Sequence, residues 1–226
     1  MKKILIVFIL LIGVITITGC EKKEQTDAMK FKEEYESLNN KTIKNKKVRN
    51  VSISKENPMV YKEAKDIVEM IDNKETFIVY FGFNDCPWCR SMIETMLKVA
   101  EDYKIDKIYY VDIKDIRDEK SIDKDGNITT DKEGTKDYND LLIKLDSLLE
   151  EYKINDVSMN EKRIYAPTVV AITNGNPLEM TTGISDDQKD PYQELTKEMQ
   201  KTMYKKLECL AKCVNEASTI CTKNAC

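Results

Sequence analysis

Two cysteines separated by two residues, Cys86-Pro87-Trp88-Cys89, are the residues of this 226-residue chain with the clearest chemical use. A thiolate attacks a disulfide sulfur to give a mixed disulfide, and a second thiol about one helical turn away can attack that intermediate and release the partner. The first thiol must therefore ionise below the usual range of a free cysteine. The competing readings are half of a zinc site, which needs two further ligands, and a static disulfide, which gains little from closing so short a loop. The chain holds no histidine. A histidine triad, a histidine metal site and a histidine pH switch are excluded.

The elements around the pair decide between these readings. Phe77-Ile78-Val79-Tyr80-Phe81 is a short apolar run of β-branched and aromatic residues, suited to a strand buried on both faces. Met92, Met96, Val99, Ala100 and Tyr103 then recur at helical spacing. The pair thus lies where a strand ends and a helix begins, with Pro87 as an early helical residue that has no N–H to lose. There the unpaired N–H groups and the positive end of the helix dipole favour a thiolate on Cys86. This placement favours redox exchange.

Around this unit the sequence predicts a helix from Tyr61 to Ile71, a strand over Ile108–Ile113, an amphipathic helix from Tyr138 to Tyr152 and a strand over Thr168–Thr173. Asn174-Gly175-Asn176 reads as a hairpin turn into a strand near Leu178–Thr182. The order is helix, strand, helix, strand, helix, strand, strand, helix. Right-handed crossovers would build an α/β protein with a small mixed sheet covered on both faces. Residues from 114 to 135 form a polar insertion. Within it, Ser121 to Ile128 resembles the start of a calcium-binding loop, but Lys132 falls where a bidentate Glu belongs, and a polar hairpin is the preferred reading.

Phe77 to Arg90 resembles the active-site segment of the thioredoxin superfamily. Ala166-Pro167-Thr168-Val169-Val170, followed by Asn174-Gly175 and Gly183, resembles its second signature. The resemblance covers roughly 58–203 without the insertion. It implies a three-layer α/β/α sandwich, a cis proline at Pro167 facing the cysteines, and a client strand held by Pro87, Trp88, Ala166 and Pro167. It implies no diffusible cofactor and no metal. The strand phrases flanking the pair are similar to thioredoxin-like proteins of Gram-positive bacteria, some called bacteriocin transport accessory proteins, so the client could be an exported peptide. The chain also departs from the superfamily. Thioredoxin carries Gly-Pro between its cysteines and a buried aspartate where this chain has Tyr80, whose proton-transfer role has no direct replacement here. Asp85 would raise the Cys86 pKa; Arg90 either favours the thiolate or is a solvated helix residue. The direction of electron flow is not legible.

The two ends complete the organisation. Lys2 and Lys3 precede an apolar stretch from Ile4 to Ile17 and then Ile-Thr-Gly-Cys20. This resembles the lipobox of bacterial lipoproteins, which implies cleavage after residue 19 and a lipid on Cys20. An uncleaved membrane anchor is the alternative. Both place the chain outside the cytoplasm and on the membrane of a bacterium, with an extracytoplasmic or membrane redox partner. Residues 20–57, rich in Lys, Glu and Asn, read as a flexible stalk, with Val48 to Ser54 as a candidate edge strand. The domain proper spans 58–190, and 191–226 form a C-terminal helix and cysteine-rich extension. In that extension Asp190, Pro191 and Gln193 suggest a capped helix start. Cys209, Cys213, Cys221 and Cys226 suggest two structural disulfides, nested pairing being preferred; a zinc site and an electron relay are the alternatives. The net charge of −4 offers no basic field for nucleic acid. The function expected is a tethered thiol–disulfide oxidoreductase with exported clients. Its rival is a non-catalytic accessory lipoprotein that binds an exported peptide and uses the cysteine pair as a staple.

Overall fold

The computed structural model describes residues 25–215. The expected signal, the expected lipidation site Cys20, and Cys221 and Cys226 lie outside the described residues. The centre is a strand, β4 (Phe77–Gly82), whose six residues are all buried. Successive side chains of a strand point to opposite faces, so Phe77, Val79 and Phe81 enter one apolar cluster and Ile78 and Tyr80 the other. This is why the run is apolar without alternation.

β5 (Ile108–Asp112) pairs parallel to β4, and β3 (Met59–Tyr61) pairs parallel to β5 at the edge. On the other side β10 (Thr168–Thr173) runs antiparallel to β4, with Val170 opposite Val79, and β11 (Asn176–Thr181) follows by a hairpin. The resulting five-stranded mixed sheet has the order β11-β10-β4-β5-β3. The hairpin turns at Asn174 and Gly175, both with positive φ (51° and 73°), the combination that a two-residue primed turn needs. A side chain on Gly175 would also put its Cβ 2.3 Å from the Ile71 carbonyl oxygen.

One face is covered by α2 (Ala64–Asp72) and α4 (Lys136–Leu145), through Ile67, Ile71, Leu141 and Leu145. The other is covered by α3 (Pro87–Asp102) and α5 (Lys197–Asn215), through Met92, Ile93, Met96, Met203 and Leu207. A fifth helix, α1 (Asp27–Glu36), joins that second face.

α1 corrects the expectation of a flexible stalk. Phe31 and Tyr35, spaced four apart, have no exposed surface and pack edge-on and tilted among Tyr61 and Tyr110. Burying such side chains contributes about 1.5–3 kcal/mol each, enough to fold a polar segment onto the domain. The following stretch forms a two-residue ladder, β1 (Thr42–Ile43) with β2 (Lys46–Lys47), and then runs extended. Val51 and Ile53 are buried as the alternation suggests, yet no strand forms there. Side chains take the backbone groups that a ladder would use: Asn39 receives the Val51 N–H at 3.0 Å and donates to its carbonyl at 2.8 Å, while the Ile53 N–H goes to Glu36 at 2.8 Å.

Other boundaries shift for similar reasons. Tyr61 belongs to β3, not to a helix, and its N–H is held by the Asp27 carboxylate at 3.1 Å. The insertion is a hairpin of β6 (Glu119–Ile122) and β7 (Ile128–Lys132), turned by Asp123, whose carboxylate accepts from the N–H groups of Asp125 and Asn127. The helix expected through Tyr152 stops at Leu145; a second hairpin, β8 (Glu151–Ile154) with β9 (Val157–Lys162), follows, turned by Asn155 and Asp156 at positive φ. Gln193 Oε1 accepts the Asp190 N–H at 3.0 Å, but the Asp190 carboxylate accepts from the Tyr192 N–H at 2.8 Å and not from Gln193, so the capping box is half made and only a turn results. α5 starts later, where Thr196 Oγ1 accepts the Met199 N–H. Among the described residues no helix is long and apolar enough to cross a membrane.

Candidate functional site

The chain leaves β4 at Gly82, passes Asn84 and Asp85, and enters α3 with Cys86 as its N-cap and Pro87 in the first turn. Cys86 Sγ accepts the Cys89 N–H at 3.2 Å, as a capping side chain does. Its other contact is long in sequence and short in space: it donates to the Ala166 carbonyl at 3.4 Å. The Ala166-Pro167 bond is cis, so the loop before β10 and the first turn of α3 meet at this sulfur. Trp88, Phe83, Ala166 and Ile184 are partly buried against the apolar cluster that holds both cysteines. Cys86 and Cys89 are both free thiols, 4% and 0% exposed.

The two thiols are driven apart in acidity. Hydrogen bonding with the Cys89 side chain lowers the Cys86 pKa; burial opposes this, and the N–H groups of Cys89 and Trp88 and the charge of Arg117 add to the lowering. Burial pushes Cys89 well above the ordinary thiol range, and the neighbouring Cys86 adds to the rise. Cys86 is thus the more acidic thiol of the pair and Cys89 the less acidic, an asymmetry of the kind that disulfide exchange uses.

Two surrounding residues differ from their sequence reading, and a third carried none. Asp85 forms an ion pair with Lys114 at 2.6 Å, so its carboxylate does not face Cys86 uncompensated. Arg90 is 2% exposed and not a solvated residue. Its guanidinium donates to the carbonyls of Arg49 (2.7 Å), Tyr35 (2.8 Å) and Asn84 (3.1 Å) and to Asn39 Oδ1 (2.8 Å), tying α3 to the N-terminal segment. The cation that favours the Cys86 thiolate is instead Arg117, which lies over the Phe83 ring at 5.0 Å. Arg117 sits in the insertion, 31 positions after Cys86, and no local motif marks it.

Pro87, Trp88, Ala166 and Pro167 are thus gathered around Cys86 and Cys89. Cys209 and Cys213 are not: they lie on α5, are buried, and are disulfide-bonded. The nested pairing involves Cys221 and Cys226, outside the described residues. Among the described residues no cluster of three or more His, Cys, Asp or Glu can hold a metal.

No family model and no curated protein matches this chain. Among solved structures it is similar to thioredoxin O2 from Arabidopsis thaliana in the oxidised state, at 16% identity and a TM-score of 0.31, over 57% of this chain and 85% of that one. The fold itself is a five-stranded mixed sheet with helices on both faces. At that identity and score the likeness decides nothing about activity, which rests on the residues themselves.

Proposed function

We propose that this chain is an extracytoplasmic, membrane-tethered thiol–disulfide oxidoreductase that exchanges disulfides with exported proteins or peptides. One observation carries the reading: Cys86 caps α3 with its pKa lowered while its partner Cys89, one turn on, has its pKa raised. Cys86 attacks a client disulfide, or passes its own disulfide to a client thiol, and Cys89 resolves the intermediate. Ala166 and Pro167 hold the client strand beside Cys86. The lipid anchor at Cys20, the bacterial envelope location, and a membrane or extracytoplasmic redox partner follow from the sequence reading of the N-terminus. An exported peptide such as a bacteriocin is the client class suggested by the strand phrases.

Trapping tests this reading. With Cys89→Ser in cells, mixed disulfides between Cys86 and exported clients should accumulate and disappear on reduction; with Cys86→Ser they should not form. If Cys89→Ser traps nothing and the pair does not titrate across a series of glutathione buffers, catalysis is overturned and the pair is a staple.

A further inference from the structure

Tyr80 occupies the strand position that faces Cys89 from beneath α3, and the chain is built to keep its hydroxyl there. Its ring folds back over Gly82, where a Cβ would fall 2.2 Å from the Tyr80 hydroxyl oxygen and 2.5 Å from the ring carbon that bears it. Only a residue without a side chain leaves that room. The ring stacks on Tyr110 at 5.4 Å between centroids, and the hydroxyl is 2.8 Å from the hydroxyl of Tyr35 on α1. Both tyrosines have no exposed surface. Two hydroxyls in contact can satisfy only one acceptor with one proton, so the pair has a second proton to give. Cys89 lies buried in the same cluster, and hydrogen bonding with Tyr80, together with the Phe83 backbone N–H, lowers its pKa against the rise that burial causes.

We infer that the Tyr80 hydroxyl, backed by that of Tyr35, is the donor that stabilises Cys89 as its sulfur becomes a thiolate in the resolving step. This rests on the thiol–disulfide reading above. In the step, Cys89 loses its proton and its sulfur attacks Cys86 Sγ of the mixed disulfide. The Cys86–client S–S bond breaks, the Cys86–Cys89 bond forms, and the departing client thiolate takes up the proton. The two electrons given up by the Cys86 and Cys89 thiols end on the client thiols, and the client disulfide is the oxidant. Tyr80 keeps its own proton throughout, because burial raises the pKa of both tyrosines well above the usual phenol range. It acts as an oriented dipole in a site closed to water, where such a donor is worth most. The ionisable groups that face Cys89 are Cys86 on its own helix, Tyr80 on β4 and Tyr35 on α1. Tyr35 acts through Tyr80 and is a positioning residue. The segment read from sequence as a stalk thereby supplies part of the site.

The two sulfur attacks can be timed separately on the full chain in detergent with 5,5′-dithiobis(2-nitrobenzoate). Attack by Cys86 releases one aryl thiolate, and attack by Cys89 on the mixed disulfide releases the second; Cys86→Ser gives the background from other thiols. Tyr80→Phe keeps the ring and should slow the second release about tenfold, a loss of about 1.4 kcal/mol, and move its pH midpoint upward, with the first release changed by less than about twofold. Tyr35→Phe should do the same to a smaller extent. A purely structural role would alter melting or both releases together, not the pH midpoint of the second alone. Should Tyr80→Phe fail to fold, Tyr35→Phe carries the test. A second release unchanged in the folded variants overturns the inference and leaves the redox reading standing. Absence of the first release in the unaltered chain overturns both.

Discussion

The sulfur of Cys86 and the carbonyl oxygen of Ala166, 80 positions apart, lie 3.4 Å from each other. The reactive thiol is therefore shared between the first turn of α3 and the loop that enters β10. If Cys86 exchanges disulfides as proposed, a client sulfur approaching it would meet backbone from both elements.

Thiol acidity gives the first expectation. With the Cys86 pKa lowered and that of Cys89 raised, alkylation by iodoacetamide near neutral pH should label Cys86 and spare Cys89, as read by mass mapping of the reduced protein. The Cys86 rate should level off as pH rises at a lower midpoint than that of a free cysteine. Removing the nearby cation with Arg117→Ala should move that midpoint upward. Equal labelling of the two thiols would contradict the division of roles.

The N-terminal helix gives the second. Phe31 has no exposed surface, and truncating a buried Phe to Ala costs about 3–5 kcal/mol. Urea unfolding of Phe31→Ala should show a midpoint shift of that size with little change in slope. A stalk would show none.

Arg90→Lys gives the third. A lysine keeps the charge but cannot present the planar fork that reaches four acceptors. With hydrogen bonds to charged groups worth about 1.5–3 kcal/mol, the variant should lose roughly that amount in thermal or urea unfolding. Amide exchange should rise around Tyr35 and Asn39 before it rises in the sheet.

Gly82→Ala is the fourth. The new methyl would overlap the Tyr80 side chain, and forced overpacking costs about 1–3 kcal/mol. Tyr80→Phe should not relieve it, since ring carbons as well as the hydroxyl are in the way; Tyr80→Val should recover part of the loss. Denaturation of the single and double variants measures the coupling.

Much of the sheet was legible because its strands carry their own signals. Phe77–Phe81 and Thr168–Thr173 are buried on both faces, and Asn174-Gly175 is a turn that few other dipeptides can make. The cysteine pair and Pro87 were legible for the same local reasons, whereas Ala166 and Pro167 were legible only through the resemblance to the thioredoxin superfamily. What escaped depends on long-range partners. Phe31 and Tyr35 are two aromatic residues in a polar stretch, and nothing nearby in sequence says that Tyr61 and Tyr110 await them. The role considered for Arg90 falls to Arg117, on which the sequence reading was silent, because burial and distance, not adjacency to the motif, decide which cation a thiolate feels. The β8–β9 hairpin was hidden by Leu148, Leu149 and Tyr152, which continue a helical spacing past the point where the backbone turns away.

The folded N-terminal segment also sets a leash. If the lipid sits on Cys20 as proposed, the chain between it and Gln25, where the described fold starts, spans at most about 18 Å, whereas a free stalk to residue 57 could pay out about 130 Å. The oxidoreductase would then patrol only a thin layer next to the bilayer. Its encounters would be confined to clients at or emerging from that surface, at an effective concentration set by the leash and not by the volume outside the cell.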